Sequence, residues 1–241
     1  MMNASSRKKN ISTVIILVIV LLVPGFLYVM LNRMGSNSYI VLPVLGEKVL
    51  SGEMKRVMGR EVLDTIYHQI PSVSLWNDRG DTTLFMGSDS SISVVHLFYT
   101  RDDGLSQALL ERLRPVVERF QHNQSVKFYS ISVDPTDSPE ELVNFAKRFN
   151  KGLESSWQFL GDPAVDMLDF SRKHLLMDAM RDTGDSTRFV ISPNYALIDS
   201  RHRIRGFYDI NLKTEVDRLK DEIKVQVVEE LRNNPLKIEK K

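Results

Sequence analysis

The chain has 241 residues, of which 26% are charged and 42% hydrophobic, a composition typical of a globular protein rather than a disordered one. Its formal net charge of +1 at pH 7, with no basic run after the N-terminus, excludes an electrostatic nucleic-acid binder. The absence of cysteine excludes disulfides, thiolate metal sites and thiol nucleophiles.

The first element is an apolar run from Ile11 to Leu31 that contains no charged residue. A helix needs about 20 such residues to cross a bilayer. A cleaved signal peptide is the alternative, but its apolar region is usually shorter, and no A-x-A-like cleavage site follows this run. Arg7, Lys8 and Lys9 precede the run, and Arg33 follows it. This asymmetry predicts an uncleaved transmembrane anchor with its N-terminus in the cytoplasm.

The whole chain divides into five predicted segments. The first two are a cytoplasmic tail at residues 1–10 and the transmembrane anchor at 11–31. After the anchor we predict a stalk or approach segment at 32–66, a folded domain at 67–233 and a charged tail at 234–241. The domain opens with a run from Val73 to Met86, which reads as two short strands about a turn at Asn77 to Gly80.

The domain continues with an alternation of strand and helix patterns. Ile92 to Tyr99 and Val126 to Val133 are β-branched runs typical of buried strands. Between them, apolar residues recur at helical spacing from Leu105 to Phe120. Ser138, followed by Pro139 and Glu141, is a capping-box start for the next helix.

The second half of the domain completes the pattern. We predict a helix from Asp162 to Met180, a hairpin of Tyr195 to Ile198 with Ile204 to Tyr208, and a last helix from Leu212 to Val227. A βαβ unit followed by an antiparallel hairpin and a closing helix predicts an α/β, thioredoxin-like fold.

Six segments, in consistent order between about Leu42 and Leu231, resemble the SCO/SenC family. Each is a weak signal by itself, whereas the ordered set is specific. They are LPVLGEK (42–48), YHQIPSVSLWNDRGD (67–81), HLFYT (96–100), SISVDPTDSPEEL (130–142), WQFLGD (157–162) and ALIDSRHRIRGFYD (196–209).

The resemblance implies a thioredoxin-like fold and a role in assembling the copper centre of cytochrome c oxidase. The family binds copper with two thiolates from a Cys-x-x-x-Cys loop and one later histidine, and the cysteines also carry thiol–disulfide chemistry. These positions correspond here to Asp102, Ser106 and Ile191, which we call the ligand-equivalent positions. Because all three have changed, we expect neither an inherited Cu(I) site nor disulfide exchange.

Another set of residues is the alternative metal site. Met167, His174, Met177 and Met180 fall in the helix predicted at 162–180. Because His174 and Met177 are three residues apart, they would face the same side of that helix, and both residue types are copper ligands. Methionines at helical spacing are more often core residues.

Two further features admit a catalytic interpretation. Asp102 and Asp103 could form a carboxylate pair, although adjacent acids just before a helix are more often a solvated turn or an N-cap. His96 lies inside an apolar strand, and we predict it to be a hydrogen-bonded core histidine.

The sequence therefore predicts a non-enzymatic, membrane-anchored SCO-like protein without a cofactor. It would act by contact with a protein partner in respiratory oxidase assembly, with its domain in the periplasm and its anchor in the inner membrane. The mitochondrial intermembrane space fits the same topology. The alternative function is a copper-binding protein with a relocated histidine and methionine site. The partner's identity and the oligomeric state stay open.

Overall fold

The structure is a computed structural model that describes residues 4–34, 41–57, 60–87, 91–102, 104–185 and 187–233. Asp103 and the predicted tail at 234–241 lie outside the described residues. The chain forms two compact units, residues 1–40 and 41–241. The elements are α1 (Ala4–Met34), β1 (Lys48–Val57), β2 (Arg60–Tyr67), β3 (Val73–Asn77), β4 (Thr82–Phe85), β5 (Ile92–Phe98), α2 (Leu105–Phe120), β6 (Val126–Ser132), α3 (Pro139–Ala146), β7 (Trp157–Gly161), α4 (Met167–Phe170), a π-helical turn (Ser171–Leu175), β8 (Ala179–Arg181), β9 (Phe189–Ile191), β10 (Asn194–Ile198), β11 (Ile204–Asp209) and α5 (Lys213–Asn233).

The first unit contains the helix α1, which has 31 residues and includes the predicted anchor. The large apolar side chains described between Ile16 and Met30 are exposed, and the side chains at both ends of the predicted span lie outside the described ones. Within the part of the chain that the structure describes, no helix is long and apolar enough to cross a membrane. The anchor therefore stays a prediction.

The second unit is built on a seven-stranded mixed sheet. Its strand order is β11-β10-β5-β6-β7-β3-β4. The central strands β5, β6 and β7 are parallel, and the other pairs are antiparallel. All seven residues of β5 are buried, as the β-branched run predicted. The βαβ unit and the following hairpin confirm the predicted α/β, thioredoxin-like arrangement.

The helices of this sheet follow the predicted sequence signals. The apolar stripe of α2, including Leu109, Leu113 and Val117, is buried although Pro115 lies inside the helix. The capping box of α3 is formed, because the Ser138 side chain accepts from the Glu141 N–H and the Glu141 side chain accepts from the Ser138 N–H. Helix α3 packs on β7 and β3, and α5 packs on β11 and β5.

The helix predicted from Asp162 to Met180 is wrong at both ends, because residues 162–166 and 176–180 are not helical. Residues 167–175 form a short α-helix and a π-helical turn. Leu176 then adopts a left-handed backbone with φ of 54°, which ends the helix. The chain continues as β8, which pairs with β9 over three residues. The apolar periodicity did not show this break, because the pairing of β8 with β9 is not local.

Strands β1 and β2 form a separate two-stranded sheet. All of their residues except Tyr67 fall in the stalk predicted at 32–66, where the sequence pattern did not predict a hairpin. Its large apolar side chains are exposed, so the segment has none of the one-sided apolar alternation that identifies a half-buried strand.

The buried guanidinium of Arg205 connects distant parts of the second unit. Its Nη1 donates to Asp199 Oδ2 (3.0 Å), and its Nη2 lies 2.7 Å from Glu229 Oε2. Nη2 also donates to the backbone oxygen of Leu42 at 2.6 Å. The β10–β11 turn, helix α5 and the N-terminal approach segment therefore meet at one buried charge.

We expect Arg205→Met to lower the free energy of unfolding by about 3–5 kcal/mol, because it leaves two carboxylates without their buried partner. Denaturant unfolding of the full chain measures the effect. The control is Arg172→Met, which removes a pair with Asp169 at 4.0 Å whose side chains are about half exposed and should cost less than about 1 kcal/mol. Equal losses in the two variants would contradict this role for Arg205.

Candidate functional site

Asp102 and Ser106, two of the ligand-equivalent positions, are connected through the start of helix α2. The buried Asp102 carboxylate accepts from the Ser106 N–H at 2.6 Å and from the Gly104 N–H at 3.0 Å. Gly104 is the N-cap residue and has no side chain to cap with. Asp102 therefore supplies the capping oxygen, where the helix dipole favours a negative charge. Asp102 is therefore not the N-cap residue itself, but its carboxylate caps the first turn of α2 from two residues before Gly104.

The hydroxyl of Ser106 is buried in the first turn of α2. Its Oγ accepts from the N–H of Tyr99, at 3.4 Å. The backbone of Asp102 in turn donates to the Tyr99 carbonyl at 3.3 Å. The loop between β5 and α2 is therefore closed on itself by hydrogen bonds, with both ligand-equivalent positions taking part.

A second set of contacts holds the same loop from the end of β6. Asp137 accepts from the Thr100 hydroxyl and the Ser132 hydroxyl, each at 2.5 Å, and from the Thr100 N–H at 3.2 Å. Burial raises the pKa of Asp137, while the bonds from Ser132 and Thr100 oppose the shift. Arg101 forms an ion pair with Asp134. The SISVDPTDSPEEL segment thus holds the loop through side-chain hydrogen bonds and an ion pair.

The third ligand-equivalent position, Ile191, ends strand β9. Its side chain is buried, and its cross-strand partner is Ala179. The rings of Tyr99 and Phe189 pack with centroids 5.3 Å apart and planes at 64°. The β8–β9 hairpin is therefore attached to the chain just before Asp102. An isoleucine offers no donor atom there.

The groups at these positions do not fit a Cu(I) ion. Cu(I) prefers thiolate and thioether ligands, whereas Asp102 offers hard oxygens that already accept two N–H bonds. Among the described residues, no three of the His, Asp and Glu side chains are grouped so as to hold a metal ion. The expectation that the protein has no cofactor stays a prediction.

The residues of the alternative metal site are not brought together on one helix. Met167 and Met177 belong to the buried core, and Met180 is half exposed on β8. The left-handed Leu176 separates Met177 from His174, so the three-residue spacing does not place them on one helical face. The backbone oxygen of His174 accepts from His68 Nε2 at 2.8 Å.

His96 is fully buried, and its two ring nitrogens have different partners. Because the Leu97 carbonyl can only accept, Nδ1 carries the proton and donates to it at 3.1 Å. Nε2 then accepts from the Ser130 hydroxyl at 2.8 Å, and that oxygen accepts from the Trp157 indole at 2.7 Å. The prediction of a hydrogen-bonded core histidine is confirmed.

Burial lowers the pKa of His96 from the ordinary value of 6.5 to about 4, with the Leu97 bond opposing the shift. The unfolded chain therefore takes up this proton at a higher pH than the folded one. The neutral, buried His96 makes its full contribution to the free energy of unfolding above about pH 6.5, and this contribution is lost as the pH falls towards 4. The loss amounts to about 3 kcal/mol.

We expect His96→Gln to flatten the pH dependence of the unfolding free energy between pH 6.5 and 4, although the variant is less stable overall. Denaturant unfolding across this range measures the slope. The control variant His122→Gln, at an exposed position, should keep the wild-type slope. An unchanged slope in His96→Gln would show that another group causes the acid sensitivity.

No protein-family model and no curated protein sequence matches this chain. Among solved structures, an SCO1/SenC family lipoprotein from Bacillus anthracis matches with a TM-score of 0.59 and 17% identity, over 66% of this chain and 95% of its own. BsSco, a member of the Sco family of cytochrome c oxidase assembly proteins, matches with a TM-score of 0.55 and 18% identity, over 65% and 92%. ScoI from Arabidopsis thaliana with copper bound matches with a TM-score of 0.51 and 19% identity, over 64% and 96%.

The second unit therefore has the fold of the SCO1/SenC structures. The resemblance seen in the six sequence segments is confirmed at the level of the fold, and the lack of cysteine agrees with a degenerate member of that family.

Proposed function

We propose that this chain is a degenerate SCO/SenC family member that binds no copper, is not an enzyme and acts by contact with a protein partner. The main support is the loop at Asp102 and Ser106. Its fold is kept, but hydrogen bonds within the chain occupy the oxygens that stand at the thiolate positions. Such a loop is a structural element rather than a site for metal or redox chemistry.

The outer surface of the β8–β9 hairpin supports a contact function. Phe189 and Ile191 point into the core, and Val190 between them is 54% exposed. Its cross-strand partner Met180 is 50% exposed. An apolar outer pair next to Ile191 is the kind of surface that a protein partner covers.

The partner that we propose takes part in respiratory oxidase assembly, because BsSco belongs to a family of cytochrome c oxidase assembly proteins. We also propose that α1 anchors the chain in the inner membrane and that the second unit lies in the periplasm. The apolar run of Ile11 to Leu31 and its unequal basic flanks support this topology.

Wild-type protein is expected to bind Cu(I) no better than a generic protein surface. The variant Asp102→Cys, Ser106→Cys should gain affinity because it offers two soft thiolates. Adding Ile191→His should strengthen binding further, although that imidazole lacks partners to orient it. Chelator competition on the three proteins measures these steps.

The control for the engineered site is Asp217→Cys, Asp221→Cys, which places two thiols four residues apart on the exposed side of α5. We expect it to bind Cu(I) more weakly than the three-residue variant. Tight one-to-one binding by the wild type would overturn the copper-free proposal. A folded three-residue variant no better than the control would show that the ligand-equivalent positions are misassigned.

The topology is tested with a reporter that is active only outside the cytoplasm, fused to the C-terminus of the full chain. We expect an active reporter in the membrane fraction. A control with Arg7, Lys8 and Lys9 replaced by Ala, and with basic residues added after the apolar run, should lose activity. An inactive wild-type fusion, or one released as free protein, would contradict the anchor.

A further inference from the structure

The hairpin of β1 and β2, which we call the ribbon, exposes an unusual number of large apolar side chains. On one face, Val49 (54% exposed) lies opposite Ile66 (59%). On the other face, Met54 (67%) lies opposite Leu63 (43%), and Leu50 (63%) lies near them. Isolated exposed apolar residues are ordinary, but five in one hairpin mark a surface that contacts something apolar.

Backbone hydrogen bonds attach the base of the ribbon to the rest of the second unit. At the base itself, the N–H of His68 donates to the carbonyl of Glu47 at 3.0 Å, which joins the two chain segments that flank the ribbon. On either side, Leu45 N donates to Ile204 O at 2.8 Å, and Ile70 N donates to His202 O at 2.9 Å. The five apolar side chains are exposed although these contacts are formed. The rest of the second unit therefore does not cover them.

The charges of the ribbon suit an anionic surface. Between residues 48 and 67, the sequence has four basic residues against three acidic ones, and three of the basic residues fall between 55 and 60 with no acidic residue among them. Basic residues among apolar ones are the composition of segments that bind the interface of anionic membranes.

The ribbon is poorly suited to adding a strand from another protein. The pairing of β1 with β2 shifts register between Leu50 and Met54, and such bulges together with edge lysines oppose pairing at a free edge. A protein that covered one face would also leave the apolar side chains of the other face in water. The interfacial layer of a bilayer surrounds both faces.

We propose that the ribbon inserts its apolar side chains into the interfacial layer of the anionic bilayer that holds α1, and thereby holds the second unit at the membrane surface. This inference rests on the anchoring proposed above. The insertion stops at the headgroup region, because the unpaired N–H and C=O groups along both edges must stay hydrated.

The absence of cysteine allows a direct test with single nitroxide labels. Leu50→Cys, Met54→Cys and Leu63→Cys are each labelled in the full chain and reconstituted into vesicles of phosphatidylcholine and phosphatidylglycerol. Controls at equally exposed apolar positions elsewhere are Leu84→Cys on β4 and Val190→Cys on β9. Collisions with oxygen, which concentrates in lipid, are compared with collisions with a water-soluble nickel chelate.

We expect the oxygen-to-nickel collision ratio to be higher at the ribbon labels than at the controls, and to fall when zwitterionic lipid replaces phosphatidylglycerol. Ratios equal to those of the controls, in protein that resists carbonate extraction, would overturn the ribbon proposal and leave the anchor intact. Carbonate extraction of the protein would contradict the anchor instead. Low collision rates with both reagents and spin–spin broadening would indicate contact between copies and overturn the lipid assignment.

Discussion

The buried guanidinium of Arg205 is the interaction on which the arrangement of the second unit depends. A charge without water must be paired with good geometry, and its partners come from three places in the chain, Asp199, Glu229 and the Leu42 carbonyl. The β10–β11 turn, α5 and the approach segment can therefore satisfy it only in one mutual arrangement. The Nε of Arg205 has no hydrogen-bond partner in the described structure, so the junction gives a defined geometry at some cost in stability.

The loop at the ligand-equivalent positions depends on different contacts. Asp137 holds Thr100 from the end of β6, and Asp102 caps α2. The Asp137 contacts involve only Thr100 and Ser132, so they do not depend on which residues stand at the ligand-equivalent positions. The Asp102 contact does depend on them, because a cysteine there would have no carboxylate to cap the helix. Most of the support for this loop is therefore separate from the ligand-equivalent positions.

Elements whose signals are local were predictable from the sequence. The apolar run of β5, the helical spacing of α2 and the capping box at Ser138 each depend on residues within one element. The break at Leu176 was not predictable, because a left-handed leucine is set by the tertiary structure. The ribbon was missed because exposed apolar residues on both faces produce no half-buried pattern. At the site, the resemblance supplied all three positions, but only the structure showed that Asp102 caps the helix.

This capping also bears on metals other than copper. A hard cation could use the carboxylate of Asp102, but it would compete with the N–H groups of Gly104 and Ser106. Displacing the Ser106 N–H would leave a buried donor unpaired at the start of α2, which costs about 1–3 kcal/mol. The neighbouring Ser106 hydroxyl accepts from Tyr99, and Ile191 offers no donor. In the degenerate member that we propose, Asp102 and Ser106 therefore do more than lack soft ligand atoms, because their oxygens accept hydrogen bonds at the start of α2 and just before it.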